Sequence, residues 1–382
     1  MIAREARRHL LERLKRSPAA ALLGPRQCGK TTLARSLGGR YFDLEQQDER
    51  LKLDLQWNDL TAGRELLVLD EAQEDPEIFA RLRGAIDQDR KRNGRFLLLG
   101  SVSPALMTSV SESLAGRLAV MELTPFMLLE SSKFSVRNAW MYGGYPDGGA
   151  LDVSAYPRWQ NDYLALLAQR DLPHWGLPAK PQVTMRLLRM LAAVHGQEWN
   201  GNALGASLDL SYKTVGSYVD YLEGAFLIRR LAPYSANIRK RLKKKPKVYW
   251  RDTGLLHAVL NVTDADTLLS QPWVGASWEG YVIEQIINRA NLLGVDAEYY
   301  HFRTSDRKEL DLVMDFGKEL WAVEVKLTSA PSRSDLQVLE KTAELIGATR
   351  SILISQTRES VTDGSRTSCS LKWFLKNLAD GA

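Results

Sequence analysis

The segment 24–31 combines residue types and a spacing that could bind phosphate. It reads G-P-R-Q-C-G-K-T, which fits the pattern G-x-x-x-x-G-K-[ST]. In this pattern glycines let backbone N–H groups close around phosphate oxygens, and the following helix directs its positive end toward them. We expect Lys30 to reach the outer phosphates and Thr31 to place its hydroxyl on a magnesium ion. The residues predicted to surround the nucleotide are Gly24, Pro25, Arg26, Gln27, Cys28, Gly29, Lys30, Thr31 and Thr32.

Two carboxylates follow the apolar segment 66–69, which is typical of a buried parallel strand. Asp70 and Glu71 would then lie at the carboxyl edge of the sheet, where nucleotide sites are found. We predict that Asp70 holds the magnesium shell and that Glu71 polarises the attacking water; the alternative is a core strand that ends in two solvated acids. Ser101 ends a later strand and could orient that water, or could simply terminate the strand. The predicted cofactors are ATP and Mg²⁺.

These side chains need a scaffold, and the segment 19–130 supplies alternating strand and helix patterns. Apolar runs predict strands near 20–23, 41–44, 95–101 and 118–123, and a helical period covers 75–92. This order predicts an α/β fold with a doubly wound sheet. The basic segment before it, 1–18, predicts an amphipathic helix that either packs on this core or contacts DNA or another subunit.

The segment 113–126 carries a resemblance. Ser-Leu-Ala-Gly-Arg follows a strand that ends in Gly-Ser, and a strand and Thr-Pro-Phe come next. This series resembles a prokaryotic subgroup of AAA-type P-loop ATPases. The resemblance implies an arginine at the γ-phosphate, often supplied across a subunit interface, and Arg117 matches that position; the alternative is a structural salt bridge. It also implies a homo-oligomer, for which a hexameric ring is one form.

Residues 181–250 predict three helices followed by two strands, the outline of a winged helix-turn-helix. In that outline the third helix offers Tyr212, Lys213 and Ser217 to a DNA groove. The loop between the strands has seven basic residues in nine: Arg239, Lys240, Arg241, Lys243, Lys244, Lys245 and Lys247. As a wing it would bind DNA phosphates in a salt-dependent way. A solvated surface, a targeting tag or a protein-contact module are the alternatives.

A third set of residues lies in the last hundred positions. Asp311 and Glu324 fall on neighbouring predicted strands and could share a Mg²⁺, and Lys326 follows on the same face as Glu324. This order resembles the PD-(D/E)xK nuclease superfamily, although Leu310 stands where that motif has proline. The resemblance implies catalytic roles for these three residues and a metal-ligand role for Glu279. A salt-bridged strand edge, or a nuclease-like fold used only for binding, are the alternatives.

Length and composition indicate the class of protein and the number of domains. The chain has 382 residues, of which 45% are hydrophobic and 25% charged, and a net charge of +5; this is typical of a globular protein with several domains. The two cysteines, Cys28 and Cys369, exclude a disulfide framework. No long apolar run or signal peptide is evident, so we expect a cytoplasmic protein without a membrane span. The predicted domains are 1–130 (P-loop AAA-type ATPase), 131–180 (helical connection), 181–265 (winged helix-turn-helix) and 266–382 (restriction-nuclease-like α/β).

Together these patterns favour an ATP-hydrolysing DNA-binding protein that remodels or cleaves DNA. A nucleotide-dependent regulatory switch that binds DNA or a protein partner without cutting remains an alternative. A branch-migration or helicase-like motor is a further one.

Overall fold

The computed structural model describes residues 2–101, 114–130, 134–235 and 245–381. The fold divides into two units. The first comprises residues 1–126 with the short segments 172–177 and 224–226. The second comprises 127–171, 178–223 and 227–382.

In the first unit the described residues form one sheet and its covering helices. The strands are β1 (Ala19–Leu23), β2 (Arg40–Asp43), β3 (Leu67–Asp70), β4 (Phe96–Gly100) and β5 (Leu118–Glu122). The helices are α1 (Ala6–Arg16), α2 (Lys30–Arg35), α3 (Gln47–Ala62) and α4 (Ile78–Gln88), with a 3₁₀ turn at Ala72–Glu74. All neighbouring strands are parallel, in the order β2-β3-β4-β1-β5. The predicted α/β fold with a parallel sheet is confirmed.

The strands β1 and β4 are buried along their whole length, as their unbroken apolar sequences require. Phe79 and Leu82 of α4 and Leu53 of α3 pack with these strands into one core. Because all strands are parallel, the residues that follow β1, β3 and β4 emerge at the same edge of the sheet. This edge therefore gathers the phosphate loop, the Asp70–Glu71 pair and Ser101.

The second unit has a larger mixed sheet. Its strands are β6 (Gln197–Glu198), β7 (Ile228–Pro233), β8 (Lys247–Trp250), β9 (Glu298–Arg303), β10 (Glu309–Asp315), β11 (Leu320–Val325), β12 (Arg350–Ser355), β13 (Val361–Asp363) and β14 (Arg366–Ser370). Its helices are α5 (Val136–Tyr142), α6 (Arg158–Leu166), α7 (Pro181–Ala193), α8 (Gly201–Leu208), α9 (Tyr212–Gly224), α10 (Thr253–Val259), α11 (Ala265–Leu269), α12 (Val274–Leu293), α13 (Arg333–Ile346) and α14 (Leu371–Gly381). Among the described residues the strand order is β13-β14-β12-β11-β10-β9-β7-β8-β6.

The strands β7 and β9 join two parts of this sheet that the sequence had assigned to separate domains. They pair in parallel through Ala232 with Tyr300 and Pro233 with His301. The hairpin β7–β8 follows helices α7 to α9, close to the predicted positions. On the other side of β9, the antiparallel pair β10–β11 carries the predicted acidic residues.

A buried ion network fixes α12 against this sheet. Glu284 on α12 is 2% exposed and receives hydrogen bonds from Arg229 and Arg251. Burial alone would raise the pKa of Glu284, but the two guanidinium groups hold it below its ordinary value. Removing one arginine would leave a poorly compensated buried charge. None of the helices in the described ranges is long and apolar enough to cross a membrane.

Candidate functional site

The phosphate loop connects β1 to α2, and two of its glycines have geometric reasons to be glycine. A Cβ on Gly24 would lie 2.1 Å from the carbonyl oxygen of Leu123. Gly29 has a φ of +100°, in the left-handed region that disfavours other residues. The loop therefore turns sharply against the end of β5 and starts α2 at Lys30.

Lys30 lies across its own loop. Its ammonium donates to the carbonyl oxygens of Gly24 (2.9 Å) and Pro25 (3.0 Å) and reaches the Ser101 hydroxyl at 3.4 Å. The side chain is 6% exposed. Lys30 therefore lies beside Ser101, and its hydrogen-bond partners are ones that phosphate oxygens would replace.

Asp70 is the centre of a second group of contacts at this edge. Its Oδ2 accepts hydrogen bonds from the Thr31 hydroxyl at 2.7 Å and from the Tyr41 hydroxyl at 2.6 Å. Burial, and then the hydrogen bond to Asp70, raise the pKa of Tyr41, so its phenol remains a donor. Thr31 and Asp70 are therefore together as predicted, and Tyr41 is a contact that sequence reasoning missed.

Glu71 lies beside Ser101 and has an unusual backbone. Its φ of 48° is in the left-handed region, a strain of about 1–3 kcal/mol for a residue other than glycine. The Ser101 backbone N–H lies 3.4 Å from Glu71 Oε2, and Gln73 Nε2 donates to the same oxygen at 2.5 Å. This strained turn directs the carboxylate toward the end of β4, where the γ-phosphate of a bound nucleotide is expected.

Other members of the predicted loop set have structural contacts. The Cys28 thiol is fully buried and donates to the Leu123 carbonyl oxygen at 3.2 Å, and burial raises its pKa. Arg26 pairs with Glu45 at 3.1 Å. Arg4, which the sequence did not indicate, donates to the Cys28 carbonyl oxygen at 2.9 Å. Gln27 and Thr32 are exposed. The contacts of Cys28 and Arg4 therefore hold the buried side of the loop, whereas Gln27 and Thr32 face solvent.

Arg117 is not near the phosphate loop of its own chain. Its Nε and Nη2 donate to the two carboxylate oxygens of Asp87, at 2.9 and 3.0 Å. It precedes β5, whose first residue pairs with Ala19 at the amino end of β1. Four strand steps, about 13 Å, separate that end from the loop edge. Within one chain Arg117 therefore forms the salt bridge that sequence reasoning gave as the alternative.

The predicted nuclease-like residues face an open cavity of about 580 Å³ in the second unit. Cationic side chains and carboxylates both line it. The lining residues are Gly196, Lys247, Glu279, Arg303, Arg307, Lys308, Glu309, Asp311, Glu324, Lys326, Val338, Lys341 and Thr342. The cavity therefore contains all four predicted residues of this group.

Asp311 and Glu324 are cross-strand neighbours. The register pairs Leu312 with Val323, and one further step places Asp311 opposite Glu324. Asp311 Oδ2 accepts from the backbone N–H of Val325 at 2.8 Å. Glu324 Oε1 accepts from Lys326 Nζ at 2.6 Å, whereas its Oε2 is buried without a hydrogen-bond partner among the described residues.

Burial and neighbouring carboxylates disfavour the ionised forms of Asp311 and Glu324. Burial raises the pKa of Asp311 well above its ordinary value, and the charges of Glu279 and Glu324 raise it further. Burial also raises the pKa of Glu324, although Lys326 opposes this. A divalent cation with oxygen ligands would satisfy Glu324 Oε2 and relieve the repulsion. However, within the described ranges no group of three or more His, Cys, Asp or Glu residues could hold a metal ion.

Lys247 has a position that differs from the one predicted, and it contacts Glu279. Lys247 was expected to contact DNA from the surface, but its side chain is 3% exposed. Its ammonium contacts Glu279 at 2.9 Å and Glu309 at 2.6 Å, and the Tyr249 hydroxyl also donates to Glu279. Lys247 is therefore wrong as an exposed DNA contact, because strand β8 directs it into the cavity.

The remaining predicted DNA contacts divide into two groups. Tyr212, Lys213 and Ser217 are exposed on α9, and Lys245 is exposed before β8. The other basic residues of the loop lie outside the described residues: Arg239, Lys240, Arg241, Lys243 and Lys244.

Comparison with protein families divides the chain into three matched regions. Residues 16–131 match a family described as an AAA domain, which confirms the P-loop ATPase prediction for this region. Residues 133–266 match a domain of unknown function, DUF8612, and residues 274–374 match another, DUF4143. These two matches assign no activity to the second unit.

Two curated proteins are similar over most of the chain. They are the uncharacterized proteins Mb2031c of Mycobacterium bovis and Rv2008c of Mycobacterium tuberculosis, each 38% identical over 336 residues. The aligned region covers 87% of this chain and 75% of each relative. Among solved structures, the Walker-type ATPase PABY2304 of Pyrococcus abyssi aligns with a TM-score of 0.49 and 17% identity, over 68% of this chain and 96% of that one.

Proposed function

Because this chain belongs to the family of the mycobacterial proteins Mb2031c and Rv2008c and carries an AAA domain, we propose that it hydrolyses ATP and that hydrolysis controls DNA bound by its second unit. The observation that supports the ATPase role most strongly is the contact between the Thr31 hydroxyl and Asp70, at 2.7 Å. This contact joins the two motifs that hold magnesium in P-loop enzymes.

The residues at the edge of the parallel sheet have distinct roles in this proposal. The loop N–H groups and Lys30 would bind the β- and γ-phosphates, and Thr31 and Asp70 would hold Mg²⁺, which when bound would supply charge neutralisation at the transferred phosphoryl group. Glu71 accepts a proton from the attacking water. Ser101 would sense whether the γ-phosphate is present, and its distances of 3.4 Å to Lys30 Nζ and 3.5 Å to Glu71 support this role.

In this proposal Arg117 contacts the γ-phosphate bound to a neighbouring subunit. Since it lies at the opposite edge of the sheet from its own phosphate loop, it can contact a γ-phosphate only in a second chain. A homo-oligomer, such as a ring, would provide that arrangement. The Asp87 contact would then be exchanged for the phosphate when the subunits assemble.

For DNA, two features of the second unit support the proposal. Helices α7 to α9 and the hairpin β7–β8 follow the order of a winged helix-turn-helix, with Tyr212, Lys213 and Ser217 exposed on α9. The carboxylate cavity is flanked by cations suited to a DNA backbone: Arg303, Arg307, Lys308 and Lys341. Within it, Asp311 and Glu324 would hold a divalent cation, which would supply activation of the attacking water, and Lys326 would steady phosphate charge.

A second candidate function is a nucleotide-dependent switch that binds DNA or a protein partner without cutting. The observation that favours it is that lysines already pair with three of the four cavity carboxylates: Lys326 with Glu324, and Lys247 with Glu279 and Glu309. A cavity whose carboxylates are paired with lysines could bind a DNA backbone without cleaving it.

One pair of assays separates these functions. ATP turnover is measured with and without DNA, and labelled linear, branched and single-stranded DNA is incubated with Mg²⁺ or Mn²⁺. ATP turnover together with DNA cleavage supports the first function. Turnover with salt-sensitive DNA binding but no cleavage of any substrate supports the switch. If the chain neither binds nor hydrolyses ATP, the proposal is wrong in both forms.

A further inference from the structure

The carboxylate cavity contains a cation of its own. Lys247 begins β8, where its backbone is fixed by pairing with Leu231 on one side and Glu198 on the other. Its side chain then extends into the cavity and is 3% exposed. Burying an ammonium is costly unless it is paired, so this position requires fixed anionic partners.

Those partners are two carboxylates from different elements. Lys247 Nζ contacts Glu279 Oε1 of α12 at 2.9 Å and Glu309 Oε1 of β10 at 2.6 Å. The Tyr249 hydroxyl, on the same face of β8, donates to the same Glu279 oxygen. Glu309 also faces Arg303, with 3.6 Å between Oε2 and Nε. Glu279 therefore has one oxygen engaged by two donors at once.

In the second carboxylate pair, each of the oxygens Asp311 Oδ2 and Glu324 Oε1 accepts one hydrogen bond, from the Val325 backbone N–H and from Lys326 respectively. Asp311 and Glu324 face each other across β10 and β11, and Glu324 Oε2 is buried without a hydrogen-bond partner in the described part of the chain. We propose that Lys247 is a built-in counter-cation that withholds Glu279, so that a divalent cation entering the cavity is held by Asp311 and Glu324 alone. This inference rests on the proposed cation site, and it makes Lys247 and Tyr249 positioning residues.

The test is a binding measurement that needs no catalytic activity. Mn²⁺ is titrated into the nucleotide-free, full-length chain, and bound metal is followed by electron paramagnetic resonance and calorimetry. The variants are Glu279→Gln, Lys247→Met and the double variant, because the coupling between two contacting residues is read from such a cycle. Lys318→Met removes the same charge from an exposed position between β10 and β11, outside the cavity lining, and is the matched control.

With Lys247 present, Glu279→Gln should change the Mn²⁺ affinity less than about threefold. Lys247→Met should tighten Mn²⁺ binding at least about tenfold, because it removes a positive charge close to the metal and releases Glu279. In the Lys247→Met background, Glu279→Gln should then weaken binding at least about tenfold. Lys318→Met should bind Mn²⁺ as the parent does.

Two results would overturn the inference alone. One is a loss of tenfold or more on Glu279→Gln with Lys247 in place, which would make Glu279 a direct ligand. The other is an unchanged affinity in a folded Lys247→Met chain. If Lys247→Met does not fold, Glu279→Gln in the parent is the test. A change in Mn²⁺ affinity below about threefold supports the inference, and a loss of about tenfold or more overturns it. Asp311→Asn distinguishes failure of the inference from failure of the proposed nuclease function. If this variant still binds Mn²⁺ as the parent does, the cavity is not the metal site. The proposed nuclease role then fails together with the inference.

Discussion

The phosphate loop and the carboxylate cavity are both built at strand ends, but they handle buried charge differently. At the phosphate loop, the ammonium of Lys30 bonds to neutral carbonyl oxygens of its own loop. In the cavity, two of the lining lysines are paired with carboxylates, Lys326 with Glu324 and Lys247 with Glu279. The first site therefore keeps its positive charge available for a ligand, whereas in the second site the charges of Lys326 and Lys247 are compensated by carboxylates of the same chain.

This difference indicates how each site should respond to mutation. At the phosphate loop, removing a charged residue removes a contact to the ligand, so the effect should appear directly in ATP binding and turnover. In the cavity, removing one residue also releases its partner, so effects should depend on the background. The following predictions test that contrast.

The largest effect is expected for Lys30→Ala. The substitution removes the cation that contacts the outer phosphates, and ATP turnover should fall at least about 100-fold. Steady-state phosphate release measures it. Lys52→Ala, which removes an exposed lysine of α3, is the control and should retain parental turnover. Near-parental turnover in Lys30→Ala would place ATP hydrolysis elsewhere.

If the cavity cleaves DNA, Asp311→Asn should be the next largest change. It removes one of the two predicted metal-binding carboxylates, and cleavage of labelled DNA should fall about 100-fold or more. Asp315→Asn, four residues further along β10, changes the same charge outside the cavity lining and is the control. Equal loss in both variants would indicate damage to the strand rather than loss of a catalytic group.

Tyr41→Phe should have an intermediate effect at the phosphate loop. It removes one of the two hydrogen bonds to Asp70 Oδ2 and leaves the packing in place. A hydrogen bond to a charged group contributes about 1.5–3 kcal/mol, so the Mg²⁺ concentration needed for half-maximal turnover should shift about tenfold. An unchanged Mg²⁺ requirement would show that Tyr41 only fills space.

Arg117→Ala is expected to give the smallest change in an isolated chain. Because Arg117 is distant from its own phosphate loop, ATP affinity should stay within about twofold of the parent, while turnover falls only where subunits assemble. Asp87→Ala breaks the same ion pair and is the control for a structural role. Mixing Arg117→Ala with Lys30→Ala chains should restore part of the turnover. Failure of the mixture to regain activity would contradict an action across subunits.

The phosphate loop could be predicted from the sequence because its determinants are local. The glycines, Lys30 and Thr31 lie in one short segment, and the apolar run before Asp70 indicates which sheet edge it reaches. Tyr41 was missed because its contact with Asp70 depends on the pairing of β2 with β3, which no short motif specifies.

In the second unit, by contrast, the position of Lys247 was predicted wrongly from a short segment. Lys247 was assigned to a basic surface loop because six other basic residues precede it. The alternation of β8 was the available signal, since it places Lys247 and Tyr249 on one face, away from Val248. Helix α3 was missed for a related reason, because Leu51 and Leu55 are exposed and Leu53 is its buried residue, so no apolar stripe stands out.

The most direct test of the ATPase mechanism compares Glu71→Gln with the parent. Each chain is incubated with labelled ATP and Mg²⁺, separated rapidly from free nucleotide, and its bound nucleotide is identified. Glu74→Gln, three residues away, is the control. The parent and the control should retain mainly ADP, and Glu71→Gln should retain uncleaved ATP. Cleavage by Glu71→Gln at the parental rate, or no nucleotide retained by any chain, would contradict the account.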